Sequence, residues 1–408
     1  MALPRESRPS SRSALLISVY LPTALLAIGS GLLLPVLPIY ARSFDVSFGM
    51  AALVIAAAGL GTLVADVPAG MVLGRLGLRP TMLIGAGLVT VALVALGLAS
   101  WFPELIIYRF VAGIGTAMWG LSRHAFITET IDPRQRGRAI SVFGGINRIG
   151  MFGGPAVGGL LGQWLGLQTT FFFAAALSLA ALVIAWLYVQ DTRVVVHDSR
   201  SVRWSLVWDM WRQNRRDLTA ANVAQLCAQM IRAGRQTIIP FYGEAVLGLN
   251  VAQIGTIQSA ASLVDMLLFV PAGYVMDRFG RKWSSVPSFA VMALGMLLIP
   301  FATGFGALLA IAMLIGFGNG LGSGSMMTLG ADLAPRGATG EFLGLWRLVG
   351  DSGAAGGPVV VGAFTDWFGF DATSIVLAGV GFGASLTLGF LVKETRDSHL
   401  VAESSRAP

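Results

Sequence analysis

Cysteine is almost absent from this 408-residue chain: the single Cys227 excludes an internal disulfide, a Cys-x-x-Cys redox pair and a cysteine-based zinc cluster. It is read as a small apolar helix residue. Only three histidines occur, and His124, His197 and His399 are too scattered for a metal site; His124, beside Arg123, is read as interfacial. Charge is scarce as well, at 12% of residues against roughly 25% in soluble domains, which excludes an ordinary soluble enzyme. The run Gly316-Phe-Gly318-Asn319-Gly320-Leu-Gly322 has glycines enough for a nucleotide loop. No strand pattern precedes it and no Walker lysine occurs, so no cofactor is expected and the run is read as a close-packing span.

What the chain has is apolar length. Apolar residues make up 55% and the mean hydropathy is +0.73. Apolar stretches run roughly 14–40, 47–72, 80–100, 103–127, 137–161, 169–189, 218–242, 250–276, 282–302, 305–330, 340–364 and 372–392. They are numbered here as spans 1 to 12, each near the ~20 residues that cross a bilayer as a helix. Twelve such spans leave no room for a soluble domain. The first is too long for the core of a signal peptide and reads as a span.

The net charge of +7 has a topological origin. Of the 28 Lys and Arg, 21 fall in one alternating set of loops and termini, Arg42 alone falls in the other, and six lie within spans. By the positive-inside rule both termini and the central loop are cytoplasmic, and the basic balance is a membrane signal rather than a nucleic-acid one. The expected setting is the cell membrane. The central loop 190–217 places Trp204, Val207, Trp208 and Trp211 on one helical face, with Asp209, Arg212, Arg215 and Arg216 largely on the other, as an interfacial amphipathic helix would.

Laying the halves over each other at a shift of 203 residues aligns Pro68 with Pro271, Gly70 with Gly273, Arg75 with Arg278 and Gly77 with Gly280. The register continues through Gly113 with Gly316, Pro155 with Pro358 and Trp164 with Trp367. The expected fold is therefore an all-α membrane protein of twelve transmembrane helices in two pseudo-symmetric six-helix bundles. Residues 1–189 would form the first, 190–217 the linker, and 218–408 the second with a short cytoplasmic tail.

The loop after span 8, Gly273-Tyr-Val-Met-Asp277-Arg278-Phe-Gly280-Arg281-Lys282, closely resembles the Gly-x-x-x-Asp-Arg-x-Gly-Arg-Lys loop of the major facilitator superfamily. The loop after span 2 repeats it but departs at Gly74 and Leu78, where the family has an acid and a base. Span 4 carries the similar Arg109-x-x-x-Gly113-x-Gly115. Span 5 carries Gly150-x-x-x-Gly154-Pro155-x-x-Gly158-Gly159, which resembles the signature of the drug/proton antiporter branch. Its chemistry is conformational, since small residues let helices touch and the proline bends the span. The resemblance implies the major facilitator fold, with spans 1, 4, 7 and 10 lining a cavity, 2, 5, 8 and 11 joining the bundles, and 3, 6, 9 and 12 facing lipid. Spans 3, 6, 9 and 12 indeed hold no interior charge. The cytoplasmic loops supply Arg75, Asp277 and Arg278 as candidates for a gating contact between the bundles.

Polar residues inside spans are the candidates for transport chemistry. In span 7, Asn222, Gln225, Gln229, Arg232 and Gln236 fall on one narrow stripe, expected to face a water-filled cavity. Arg109, Thr116, Trp119 and Arg123 in span 4 and Asn319 in span 10 are further cavity candidates. Of the three carboxylates inside spans, Asp351 stands four residues from Arg347, while Asp265 has no base on its own helix and is the first choice as proton carrier. Asp66 and Asp351 are the others. Arg148 lies at the height of Asp265, and Asp66 and Arg347 lie nearer the cytoplasm, so that ion pairs across the bundles are a competing expectation. The functional expectation is proton-coupled export of small amphiphilic compounds by alternating access, by a monomer that binds neither nucleic acid nor a metal. The alternatives are uptake or exchange of an anionic metabolite through an arginine-lined cavity, and a non-transporting membrane sensor.

Overall fold

The computed structural model describes residues 16–130, 133–189, 208, 211–212, 215–335 and 338–394, side chains excepted at 16–17 and 127–141. Among these residues the regular structure is entirely helical. The first half contains α1 (Leu21–Arg42, preceded by a π-helical turn Leu16–Tyr20), α2 (Phe48–Leu76), α3 (Leu78–Leu98), α4 (Phe102–Thr130), α5 (Pro133–Leu165) and α6 (Leu167–Tyr188). The second opens with α7 (Arg215–Ala245), α8 (Val251–Phe279) and α9 (Arg281–Leu298). Span 10 is interrupted: α10 runs as Phe305–Leu321 and resumes as Ser325–Leu333 after a break in which Gly324 takes φ +78°, a left-handed conformation that glycine adopts without strain. Spans 11 and 12 are the limbs of one helix, Thr339–Leu386, bent where Gly369 takes φ +78°. They are called α11 (339–368) and α12 (370–386).

Nine stretches among the described residues are long and apolar enough to cross a membrane, with α11 and α12 counted as one. Absent from that set are α5 and α7, whose apolar faces are interrupted by arginines and amides. A bilayer tolerates such groups only where protein or water covers them. Most of the amphipathic linker helix expected over 190–217, and the basic residues at 134–138, 336, the N-terminus and beyond 394, lie outside the described residues or side chains, whereas Lys393 is described and pairs with Asp217 at 3.3 Å. Of the linker, Arg212 sits 5.5 Å above the ring of Trp208, which is exposed.

Within the first half α1 packs on α5 and α6, α4 on α2 and α3, and α3 on α6. The second half repeats this, with α7 on α11 and α12, α10 on α8 and α9, and α9 on α12. The 203-residue register extends to individual contacts. Arg79 donates from Nη2 to the Trp186 carbonyl at 2.6 Å, and Lys282 donates from Nζ to the Gly389 carbonyl at 2.9 Å. A similar contact recurs one residue out of that register at the tyrosine: the Tyr40 hydroxyl donates to the Ala99 carbonyl at 3.4 Å, and the Tyr242 hydroxyl to that of Ala302 at 3.3 Å. Gly77 and Gly280, at φ +91° and +110°, end α2 and α8 in a conformation that lets the next helix begin at once.

The halves meet along two seams, α5 on α8 and α2 on α11. At the end bearing Asp45 both seams are tight. A Cβ on Gly159 would stand 2.6 Å from the Val251 carbonyl oxygen, and one on Gly362 would stand 2.7 Å from that of Phe48, two contacts related by the same shift. Phe48 adds edge-on contacts to Phe241 and Phe370, and the Asp366 carboxylate accepts from the Phe48 and Gly49 amides at 2.9 and 2.8 Å. At the opposite end, bearing Gly77, the seam helices part: a Cβ at Gly144, Gly145, Gly340 or Gly344 would meet nothing within 4 Å.

Candidate functional site

Between the halves lies a cavity of about 390 Å³, bordered among others by Leu34, Thr62, Arg109, Thr116, Gln236 and Pro358. It continues into a side pocket of about 170 Å³ inside the first half, where Thr23, Trp119, Arg123 and Asn147 join Arg109 and Thr116. A recess of about 20 Å³ lies against Arg235, Gln236 and Gln258. No Asp or Glu lines any of these three spaces. Arg109, Thr116, Trp119 and Arg123 thus share one surface, because spacings of seven, three and four residues hold them to one side of α4.

The span 7 stripe does not face water along its length. Gln236 lines the cavity. Gln225 is buried and packs with Gln229 against the α11 backbone at Gly350, and Asn222 donates to the Leu218 carbonyl of its own helix at 2.8 Å. Arg232 turns into the second half, donating from Nη2 to the Gly322 carbonyl at 3.2 Å with its guanidinium 5.2 Å from the Phe289 ring. The correction has a geometric cause. Spacings of three and four residues keep a stripe within one helical face, but helices crossing at an angle present different neighbours along that face. Asn319 lines none of the three spaces, and its Oδ1 is buried without a hydrogen bond.

The intramembrane charges lie on the seams. Arg148 of α5 approaches Asp265 of α8 at 3.0 Å from Nη1, donates from Nη2 to the Ser323 hydroxyl at 2.9 Å, and lies over the Phe269 ring at 4.5 Å. Asp265 is therefore not the partnerless carboxylate that its own helix suggested; the base comes from the other half. On the second seam Arg347 of α11 is shared, with Nη2 3.5 Å from Asp66 of α2 and Nε 3.3 Å from Asp351. Ser323 and Phe269 escaped the sequence reading. Ser323 gave a faint signal by interrupting the glycine run exactly where α10 breaks, whereas Phe269 is one apolar residue among many.

The loop residues proposed for a gating contact stay apart. Arg75 and Asp277 are exposed with no ion pair among the described residues, and Arg278 donates from Nη1 to the Tyr274 hydroxyl of its own helix. At this end the charges are used within the second half: Arg281 pairs with Asp332 at 2.8 Å, and Glu394 accepts from the Arg281 and Lys282 amides at the start of α9. The span 5 motif divides its glycines between two neighbours. Gly150, Gly154 and Gly158 take the backbone of α1, while Gly159 and the Pro155 carbonyl take α8 at Val251 and Gly255. A side chain at any of these glycines would overlap backbone.

The sequence profile described as the Major Facilitator Superfamily matches residues 19–242 and 221–407. The chain is 21% identical to an uncharacterized MFS-type transporter of Methanocaldococcus jannaschii over 86% of its own length and 91% of that protein's. It is 27% identical to the class C tetracycline resistance protein of Escherichia coli, over 68% of this chain and 71% of that one. Among solved structures, the nucleoside transporter NupG superposes with a TM-score of 0.76 at 14% identity, covering 93% of this chain and 100% of that one.

Proposed function

The chain belongs to the Major Facilitator Superfamily and is a multi-pass membrane transporter rather than an enzyme, and from that premise we propose that it exports small amphiphilic compounds in exchange for protons. The observation that carries the reading is the cavity between the halves, sealed at the Asp45 end and parted at the Gly77 end. With basic loops cytoplasmic, as the positive-inside rule assigns them, this is a cytoplasm-facing state. The halves, 1–189 and 218–408 joined through 190–217, would rock as units to expose the cavity on the other face. Similarity to a tetracycline resistance protein and the span 5 glycine motif favour the outward direction.

In this reading the seam charges couple protons to rocking. Asp66 and Asp351 share one arginine, so protonating either leaves the other paired, and this cluster takes up and gives back a proton at little structural cost. Asp265 is held one to one by Arg148, and its protonation would loosen the α5–α8 seam. The protein would act as a monomer in the cell membrane. Uptake or exchange of an organic anion is the second reading, favoured by the arginine-bearing, carboxylate-free lining.

Purified protein in proteoliposomes with an internal pH dye tests both. Proton movement driven by tetracycline, and abolished in the Asp66→Asn/Asp351→Asn double variant, is the expected result. Response to organic anions alone, unchanged in that variant, would overturn drug–proton exchange in favour of the second reading.

A further inference from the structure

The side pocket of the first half offers a ligand an unusual choice of contacts. Most of its hydroxyl hydrogens are already spent. Thr23 donates to the Val19 carbonyl at 2.7 Å and Thr116 to that of Ala112 at 2.8 Å, while Ser178 reaches the Ala86 carbonyl at 3.4 Å. What remains polar along the lining is the Ser30 hydroxyl, the Asn147 amide and two cations, Arg109 and Arg123. Neither guanidinium has a carboxylate within ion-pair distance among the described residues, and the Nε of each is buried without a hydrogen bond. Arg123 has the Phe143 ring at 5.2 Å, a contact that holds the group without neutralising it. Around them the wall is apolar, formed by Leu26, Val89, Leu93, Met151 and a Trp119 that is only 5% exposed.

Fixed cations away from water are costly unless a counter-charge or several hydrogen bonds meet them. Two such groups at one apolar pocket repel a cationic ligand and favour one whose charge is opposite. Guanidinium presents its N–H groups in a planar fork that fits a carboxylate or sulfonate with two parallel bonds. Arg109 also borders the central cavity, so a ligand held by it would lie at the junction, its apolar part along Trp119 and its anionic group reachable from both spaces.

We infer that this pocket is the binding subsite for an amphiphile carrying an aromatic body and one anionic group, with Arg109 and Arg123 as its charge-selecting residues and Trp119 as its apolar wall. The inference rests on the transport reading and narrows its substrate class, because a carrier of this kind selects against the cationic amphiphiles that an apolar cavity alone would admit.

The test is equilibrium dialysis of full-length protein in nanodiscs against three ligands matched in shape, 2-naphthoate, 2-naphthylmethanol and 2-naphthylmethylammonium. Naphthoate should bind tightest and the ammonium weakest. Arg109→Gln and Arg123→Gln should each weaken naphthoate by about 10- to 100-fold, the size of one lost charge-assisted contact, and leave the alcohol unchanged. Arg109→Lys should recover part of the loss, and Trp119→Ala should weaken all three ligands. An ammonium that binds as tightly as naphthoate would overturn the proposal, as would naphthoate binding that both arginine variants keep, or no binding of any of the three. If a variant fails to fold, the charge series on the unaltered protein decides. Arginine-dependent naphthoate binding without transport in the proteoliposomes would uphold the subsite and remove the transport reading, whereas transport without naphthoate binding would do the reverse.

Discussion

The two seams are built from equivalent positions and diverge most in charge. At the sealed end they superimpose in register: Gly159 against Val251 and Ala252 on one, Gly362 against Phe48, Gly49 and Ala52 on the other. At mid-height the same shift sets Arg148 opposite Asp351, Asp265 opposite Thr62, Phe269 opposite Asp66 and the open Gly144 opposite Arg347. The α5–α8 seam thus has a one-to-one pair, with side chains 21% and 14% exposed, while α2–α11 has one arginine, 49% exposed, divided between two acids. Contacts that set helix distance tolerate no change, because a Cβ there meets backbone. Charges have more freedom, so a duplicated frame can acquire a one-to-one pair on one seam and a more accessible cluster of two acids and one arginine on the other.

Breaking the one-to-one pair should have the largest effect. Arg148→Asp or Asp265→Arg alone leaves like charges facing each other in a poorly hydrated seam, and each should abolish transport and destabilise by about 3–5 kcal/mol in thermal or denaturant unfolding. The combined swap should recover most of both; a double variant no better than the singles would show that direct pairing is not what the two residues supply. Next in size is the shared register. Gly159→Val and Gly362→Val should each cost about 1–3 kcal/mol and shift the ensemble away from the sealed Asp45 end. Labelling of a cysteine introduced near that end, in a Cys227→Ala background, reads this shift, and unequal effects at the two glycines would break the equivalence.

The Asp66–Arg347–Asp351 cluster sharpens the contrast. Asp66→Asn and Asp351→Asn singly should retain transport within about tenfold, since one carboxylate still faces Arg347, and only the double should uncouple protons. Equal loss in single and double variants would make the cluster as rigid as the one-to-one pair. The smallest effect is expected at the helix starts. The α2 N-terminus is capped by its own Ser47 and in addition borrows Asp366 from the other half, whereas α8 is capped by its own Asn250 and Gln253 alone. Asp366→Asn should cost about 0.5–2 kcal/mol and loosen the sealed end, while Gln253→Ala should alter stability with no change in labelling there.

The fold was largely legible because its signals are periodic and redundant. Apolar length marks the spans, and a 203-residue shift that holds over most of the two halves doubles many of the observations. The turn glycines Gly77 and Gly280 were equally readable, since their role is set by their own backbone. The site was legible only in part. Arg109, Thr116, Trp119 and Arg123 could be grouped because one helix face carries them all, but the span 7 stripe could not be followed, as its neighbours change from α11 at Gln225 to Gly322 at Arg232. Arg75, Asp277 and Arg278 carry a loop pattern that does not by itself name a partner: Arg75 and Asp277 are exposed with no ion pair among the described residues, and Arg278 turns to Tyr274 of its own helix.

By itself, then, the sequence determined what depends on one chain segment at a time: which stretches enter the membrane, which helices repeat, which faces are polar and which residues stand alone as charges in hydrocarbon. Tertiary structure alone decided who meets whom. That Asp265 finds Arg148, that Arg347 divides itself between Asp66 and Asp351, and that Arg109 and Arg123 have no acid at ion-pair distance among the described residues beside an apolar pocket are consequences of helix crossing and of the angle between the halves. Neither leaves a trace in local periodicity. Burial raises the cost of an unpaired charge, but the partner that relieves it is chosen by distance in space, across as many as 281 residues of chain for Arg347 and Asp66.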